Sequence, residues 1–414
     1  MDTEADGEPG ALTVLREAAA ERRAAGLSRA LSPRAAARTG SQGPLDLASN
    51  DYLGLAADPR LAEAAAAAAR DWGPGSTGSR LVTGTTELHR RLETELASFA
   101  GAAQALVFSS GYLANLAVVT ALAQVLGYGA DGARGTQGAH GTRDGVLIVS
   151  DAANHASLID GCRLARARVQ VTPHGDVAAV ERALAGRPER HALVITDTVF
   201  SVAGDLAPLR DLHRVARSHR ALLVLDEAHA FGVLGPGGRG AAAAAGIAAD
   251  PHVVRTFTLS KSLGSQGGAV AGAAEVIQTL IDLGRMFIFD TGLAPPSTAA
   301  ALAALAILRD EPGLGQRARD NARRLADMAA SLGFETSEPA AAVVRVLLGE
   351  PAAAVQAQGI CAGQGVRVGC FRPPSVPAGQ ACLRLTARAN LSEVHLALAF
   401  RALGSVRDHV RITA

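Results

Sequence analysis

The stretch "ALLVLDEAH", residues 221–229, decides the fold. An unbroken run of apolar residues is typical of a strand that is buried on both faces. The run ends in Asp226, Glu227 and His229, side chains that can carry charge or move a proton. Strands covered on both faces occur mainly in parallel sheets, so the stretch predicts an α/β sheet with polar groups at the strand end.

Similar apolar runs occur before this strand, and amphipathic stretches separate them. This alternation predicts parallel strands joined by crossover helices. The runs are "ALVFSS" (105–110), "VLIVS" (146–150), "RVQVTP" (168–173) and "ALVITD" (192–197), and the predicted helices cover about 59–72, 86–100, 112–125, 155–166, 176–186 and 208–219.

The pattern changes towards both ends of the chain. Long helices rich in Ala, Leu and Arg replace it after residue 296, and strands follow near "AVVRVLL", "VRVG" and "CLRLTA". We predict an N-terminal helix and arm over 1–58, a large α/β domain over 59–295 and a smaller α+β domain over 296–414. The Gly-rich stretch 127–145 lacks periodicity and predicts a surface insertion, to which we assign no role.

The composition favours a globular protein with a small-molecule partner. The 414 residues are 48% hydrophobic and carry a formal net charge of +1, so the sequence predicts no nucleic-acid surface. Charged residues interrupt the Ala runs, and the start "MDTEADGEPG" is acidic where a signal peptide is basic and then apolar. With four cysteines and no CxxC pair, we expect a cytoplasmic protein without a membrane anchor.

Lys261, in "TLSKSLGSQGG" (258–268), is the only lysine among 40 basic residues. A surface cation can be lysine or arginine, but a guanidinium never loses its proton and cannot act as a nucleophile. The unique lysine therefore indicates a reactive amine rather than a surface charge.

Polar residues follow each apolar run where the carboxyl ends of parallel strands would meet. Singly, each has an ordinary interpretation, such as a helix cap or a satisfied buried polar group. Together they offer a Gly-bearing phosphate cradle, a carboxylate, two imidazoles, a hydroxyl and an amine. They are Ser110, Gly111 and Tyr112, then His155, Ser201, Asp226, His229 and Lys261.

Pyridoxal 5′-phosphate (PLP) matches this set of groups. Its phosphate suits a helix N-terminus, its pyridine nitrogen suits Asp226, and its aldehyde forms a Schiff base with Lys261. One histidine can stack on the ring while the other and Ser201 bond the ring oxygen, and no zinc-type spacing competes. "GPGSTG" (73–78) and "GPGGRG" (235–240) fit the dinucleotide pattern GxGxxG but lack its strand and helix context. An NAD-dependent dehydrogenase or a non-catalytic binding protein remains the alternative from another class.

An ordered series of motifs resembles the α-oxoamine synthases. It comprises "LASNDYLGL", "GSRLVTGTTELHRRLETELASF", "FSSGYLANLAV", "NHASLIDGCR", "TDTVFSVAGDLAPL", "LVLDEAHAFGVLG" and "TFTLSKSLGSQGGAVAG", over about 45–300, with "CLRLTARANLSE" beyond. The resemblance implies the type I PLP-dependent transferase fold. In that fold a large domain has a mostly parallel seven-stranded sheet flanked by helices, beside a smaller C-terminal α+β domain and an N-terminal arm.

The resemblance also implies roles for individual residues. Lys261 would hold the cofactor and move the substrate Cα proton, Asp226 would pair with the pyridine nitrogen, and His155 would stack on the ring. The remaining implied cofactor residues are Ser110, Gly111, Tyr112, Ser201, His229, Thr258 and, from a second subunit, Thr291; the implied substrate residues are Arg29, Asn50, His155, Arg384 and Thr386.

Within the family, "GSRLVTG" and the N-terminal helix look most like the homodimeric members that condense L-alanine with a pimeloyl thioester for biotin synthesis, the acyl group being carried by coenzyme A or a carrier protein. The glycine-using 2-amino-3-ketobutyrate ligase and 5-aminolevulinate synthase, or a homologue of specialised metabolism, remain alternatives. Phe289 departs from the family because some members have Tyr there.

Overall fold

The computed structural model describes residues 10–29, 31, 33, 43–128 and 143–410. Most of the insertion predicted at 127–145 lies outside these residues. The described chain forms two β-sheets with helices packed around them. The helices are α1 (Ala11–Ala24), α2 (Pro59–Trp72), α3 (Glu87–Ala100), α4 (Gly111–Tyr128), α5 (Ala156–Ala165), α6 (Val177–Ala185), α7 (Leu209–Ser218), α8 (Ala241–Ala244), α9 (Ala274–Leu283), α10 (Arg285–Ile288), α11 (Pro295–Asp310), α12 (Leu314–Ser331), α13 (Pro351–Gly363) and α14 (Glu393–His409).

The larger sheet has seven strands in the order β2-β8-β7-β6-β5-β3-β4. The pairs formed among β3 to β7 are parallel, which confirms the predicted α/β sheet. β8 is antiparallel to both β2 and β7. The strands are β2 (Gln104–Phe108), β3 (Arg143–Asp151), β4 (Ala167–Thr172), β5 (His191–Asp197), β6 (Leu222–Asp226), β7 (Val253–Thr258) and β8 (Gly268–Gly272).

Helices cover both faces of this sheet, and alternate strand residues enter two separate cores. On one face, side chains such as Val224 and Ile195 pack with α4, α5 and α9. On the other, Leu225 and Val194 pack with α3, α6, α7 and α11. Burial on both faces explains why the strands read as continuous apolar runs.

Helix α4 is the one described helix that is long and apolar enough to cross a membrane. Half of its residues are buried inside the protein, and it packs against β3 and α5. Its apolar character is therefore accounted for by its place in the core.

The smaller sheet has four strands in the order β1-β10-β11-β9. Its strands are β1 (Leu45–Leu47), β9 (Val343–Gly349), β10 (Val366–Phe371) and β11 (Ala381–Thr386). β1 comes from the predicted N-terminal arm and pairs in parallel with β10. α11, from the predicted C-terminal domain, packs on α2 and α3 of the large sheet. The limits at 58 and 295 stay predictions, but contacts cross both of them.

The strand register brings polar residues together at one edge of the large sheet. Asp197 at the end of β5 is level with Asp226 at the end of β6, and Asp226 is level with Thr256 on β7. The loops that carry His155, His229 and Lys261 leave from this same edge. The sheet thus converts a periodic sequence pattern into one cluster of polar groups.

Candidate active site

A cleft lies at this edge of the large sheet. Its empty volume, which includes open solvent at its mouth, is about 520 Å³. The lining residues are Gly111, Tyr112, Asn115, His155, Ser157, Asp197, Asp226, Ala228, His229, Phe257, Thr258 and Lys261.

Lys261 lies in a tight loop between β7 and β8. The loop is closed by the Leu259 amide, which donates to the Gly267 carbonyl, and the Ser262 hydroxyl anchors it to the Phe231 carbonyl. The Nζ of Lys261 is 2.8 Å from Nε2 of His229. Burial lowers the pKa of Lys261 to about 8, against the opposing effect of the nearby carboxyl groups. The sequence-predicted amine is therefore in the cleft and available as a base near neutral pH.

Asp226 is buried beside this amine and is held by two donors. The Asn115 side-chain amide donates to it over 2.7 Å and the Ala228 amide over 2.8 Å. Asn115 also donates to the Ser157 hydroxyl, which lies 2.7 Å from Nδ1 of His155. Asp226 and His155, which the sequence predicted separately, thus belong to one hydrogen-bond network.

Asp197 is a second carboxyl group in the cleft, and only 2% of it is exposed. The amide of His155 donates to its Oδ1 over 3.3 Å. Burial and the neighbouring Asp226 raise the pKa of Asp197 well above its usual range. The strand-end pair is therefore asymmetric, with Asp197 biased towards its neutral form.

The start of α4 forms a cradle against the end of β7. A Cβ on Gly111 would lie 3.0 Å from Cβ of Thr258, and one on Gly268 would lie 2.4 Å from the Gly111 amide nitrogen. Only glycine therefore permits this close approach. The Ser110 hydroxyl accepts from the Leu113 amide, and the Thr258 hydroxyl is 2.7 Å from that of Ser260.

Arg384 reaches the site from β11 of the smaller sheet. Its guanidinium donates to the Ser201 carbonyl and to Oδ1 of Asn50, each over 2.9 Å, and lies 4.7 Å from the Phe371 ring centre. The side chain is buried, and its Nε has no hydrogen-bond partner. Because neutral oxygens hold this cation, it retains an uncompensated positive charge for an anionic ligand.

The family is decided by sequence comparison. Residues 42–403 match the model for class I and II aminotransferases. The chain is 55% identical over 395 residues to an 8-amino-7-oxononanoate synthase of Mycolicibacterium vanbaalenii, covering 95% of this chain and 97% of the relative. This chain belongs to the α-oxoamine synthases.

Solved structures agree with this α-oxoamine synthase assignment. A serine palmitoyltransferase from S. paucimobilis, solved with a bound PLP–myriocin adduct, is 28% identical, with a TM-score of 0.84 over 96% of this chain and 98% of that one. An 8-amino-7-oxononanoate synthase from Francisella tularensis is 26% identical, with a TM-score of 0.70 over 87% of this chain and 97% of that one. The predicted fold class and family are confirmed.

The α-oxoamine synthase cleft fits PLP on its own features. The glycine cradle offers backbone amides to a phosphate, Asp226 supplies a carboxylate, and the lowered pKa of Lys261, about 8, leaves part of its amine unprotonated near neutral pH. The buried Oδ1 of Asn115 has no partner and can accept one more hydrogen bond. PLP is the cofactor of this enzyme, as the sequence predicted.

Several predicted site residues lie outside the cleft of this α-oxoamine synthase. Ser201 meets Arg384 through its backbone, Thr386 is fully buried beside Arg384 on β11, and Arg29 is 3.5 Å from the Ser375 hydroxyl on the surface. Thr291 borders a second hollow with Arg80. The structure therefore does not bring Ser201, Thr386, Arg29 or Thr291 to the cleft within one chain, and their roles stay predictions. Ser110, Asn50 and Arg384 are also absent from the residues that line the cleft, although Arg384 is close enough to help lower the pKa of Lys261.

The sequence interpretation missed Asn115, Ser157 and Asp197. Asn115 comes four residues after Gly111, one helical turn along the same face of α4, so this spacing could have indicated it. Asp197 ends a strand just as Asp226 does, and the same reasoning applies to both.

Proposed function

We propose that this chain is an 8-amino-7-oxononanoate synthase that joins L-alanine to a pimeloyl thioester and releases carbon dioxide and the thiol. The identity of 55% over nearly the full length to relatives of that name carries the proposal. The sole lysine, which lies in a cleft with two buried carboxyl groups, supports the chemistry.

Bound PLP supplies a ring that withdraws electrons from the substrate Cα. Lys261 would hold its aldehyde, Asp226 its ring nitrogen and the Gly111 cradle its phosphate. His155 would stack on the ring, and His229 with Ser201 would bond the ring oxygen. With cofactor and substrate bound, the Lys261 amine would take the substrate Cα proton at Nζ. Its lowered pKa suits this role, because a general base works best when its pKa is near the working pH.

Arg384 would orient the amino acid. A guanidinium binds a carboxylate through two parallel hydrogen bonds, and burial of this side chain strengthens that contact. Asn50 and the Ser201 carbonyl fix the guanidinium in place. By holding the carboxylate, Arg384 would delay the loss of carbon dioxide until the new carbon–carbon bond has formed.

The acyl donor would enter past Arg29, and a homodimer in the cytoplasm would complete the site with Thr291 from the partner. Exposed apolar side chains near Thr291 support such an interface, because Val82 is 79% exposed and Phe289 is 64% exposed. Mixing inactive Lys261→Ala chains with inactive Thr291→Tyr chains should restore part of the activity if the sites are shared. No recovery on mixing would favour sites that are complete within one chain.

Substrate assays test the proposal directly. Alanine, serine and glycine should each be supplied with pimeloyl-CoA, acetyl-CoA and succinyl-CoA while thiol release is followed. We expect turnover with alanine and the pimeloyl thioester. Preference for glycine with a short acyl group would overturn the substrate assignment while leaving the family unchanged.

A further inference from the structure

Tyr52 is connected to Lys261 by hydrogen bonds through His229. It lies in the loop between β1 and α2 and is completely buried. Its hydroxyl is 2.5 Å from Nδ1 of His229, whose Nε2 is 2.8 Å from Nζ of Lys261. The Ala389 amide, which donates to the Tyr52 carbonyl over 2.8 Å, anchors the loop. The three side chains therefore form a continuous hydrogen-bonded row.

The single phenol proton of Tyr52 has two possible acceptors. Nδ1 of His229 is 2.5 Å away, whereas Oδ1 of Asn50 is 3.3 Å away and already accepts from Arg384. The shorter contact to the less engaged acceptor is the stronger one. The difference between the two distances therefore favours Nδ1 as the acceptor of the phenol proton.

This assignment fixes the proton of the histidine ring. Burial, Lys261 and Arg384 lower the pKa of His229 well below its usual value, so the ring is neutral and carries one proton. If Nδ1 accepts from Tyr52, that proton is on Nε2. An N–H on Nε2 can bond an amine lone pair, but it would oppose an ammonium N–H.

We propose that Tyr52 is a positioning residue that holds His229 as the Nε2–H tautomer and thereby favours the uncharged form of the Lys261 amine. The inference goes one step beyond the proposed function and rests on the role given there to Lys261.

Other charged groups also act on this amine. Asp226 and Asp197 favour the ammonium, Arg384 disfavours it, and His155 also lines the cleft. Replacing Tyr52 by Phe leaves all of these groups in place. Any change in Lys261 therefore reports the phenol contact with His229.

The unique lysine allows a direct test. Full-length chain labelled with ¹³C-lysine, with its cofactor removed, gives one side-chain signal, and its pH titration yields the pKa of Lys261. In Tyr52→Phe the ring proton can move to Nδ1 and Nε2 can accept from the ammonium, so we expect the pKa to rise by about one unit. Tyr128→Phe, which removes a phenol at the far end of α4, should leave it unchanged. An unchanged or lower pKa in Tyr52→Phe would overturn the proposal.

A second measurement does not require Tyr52→Phe to fold. ¹⁵N-histidine spectra of the unsubstituted chain should show the His229 proton on Nε2, with the signal assigned by its loss in His229→Gln. A proton on Nδ1 would contradict the proposal.

The rate at which the chain captures added PLP distinguishes a failure of this proposal from a failure of the proposed function. At about pH 7, Tyr52→Phe should capture PLP about tenfold more slowly, with the difference closing above about pH 10. A uniform slowing at every pH would indicate a structural role and refute ours. Absence of PLP capture by the unsubstituted chain would refute the proposed function instead, because the lysine titration needs no cofactor.

Discussion

Two buried polar clusters lie back to back at the end of β6. Asp226 faces the cleft with Lys261, while the next residue, Glu227, accepts from the amides of Ala241 and Ala242. Glu227 also lies 3.9 Å from Arg255, and both side chains are fully buried. One residue along a strand reverses the direction of the side chain and so separates the two clusters.

The two clusters differ in how their charges are balanced. The pair of Glu227 and Arg255 matches one carboxylate with one guanidinium, and Arg255 also donates to the Ala100 carbonyl. Beside the cleft, by contrast, Arg384 is held by neutral oxygens, and within the cleft Asp226 is held by neutral amides. A balanced cluster fixes the fold, whereas the unbalanced one retains charge for a ligand.

Removing the cleft amine gives the largest expected effect. Lys261→Ala should abolish the visible absorbance of the bound cofactor and lower kcat at least about 10³-fold, because no other lysine can replace it. Absorbance spectra and thiol-release assays measure both. Lys261→Arg is the matched control, because it keeps the charge without a nucleophile and should be equally inactive. A coloured, borohydride-reducible Lys261→Ala protein would remove Lys261 from this role.

Breaking the pair of Glu227 and Arg255 should lower the stability of the fold. Arg255→Met leaves the Glu227 carboxylate buried without its counter-charge and should lower the free energy of unfolding by about 3–5 kcal/mol. Urea denaturation followed by circular dichroism measures the loss. Replacing both partners, as Arg255→Met with Glu227→Gln, should recover part of it. An unchanged urea midpoint in the single variant would show that the two clusters are not functionally distinct.

The sequence predicted the large sheet well, because strands buried on both faces have a strong apolar signal. It did not identify β8, "GAVAG" at Gly268–Gly272. Four of its five residues are Gly or Ala, and such small residues carry little strand signal. β1 is only three residues long, and its pairing with β10 spans more than 300 residues, so no local pattern could show it.

The site was predictable where a residue type is required by the chemistry. Lys261, Asp226 and the two histidines follow apolar runs, and strand geometry brings them to one edge. Tyr52 and Asn115 were not identified, because their importance comes from partners that are distant in sequence. Tyr52 meets His229 across 177 positions, and Asn115 meets Asp226 across 111.

Replacing Arg384 by lysine tests whether its charge serves the amino-acid substrate rather than the cofactor. Arg384→Lys keeps one positive charge but loses the paired geometry, so the KM for the amino acid should rise about 10- to 100-fold. Steady-state kinetics with alanine measure the change. The cofactor absorbance should remain that of the unsubstituted enzyme, and its loss would mean that Arg384 supports the fold of the site instead.

A third cluster places one imidazole between two carboxylates and is partly exposed, and it should show the smallest effect. His174 lies between Asp151 and Asp205, 3.0 and 2.7 Å from their oxygens. Burial alone would lower the pKa of His174, but hydrogen bonds to the two carboxylates outweigh it and raise the pKa. A raised pKa means that the stabilisation is complete below the unfolded value and is lost as the pH rises through the folded value.

His174→Gln should therefore lower the urea midpoint at about pH 5.5 and leave it nearly unchanged at about pH 8.5. Because the side chain is 40% exposed, solvent screens the pair, and we expect a loss below about 1 kcal/mol. An equal loss at both pH values would instead assign the contribution to packing of the His174 ring on Phe200, whose ring centre is 4.2 Å away. A small loss that is confined to low pH would show that solvent exposure, rather than the number of charges, separates this cluster from the pair at Glu227.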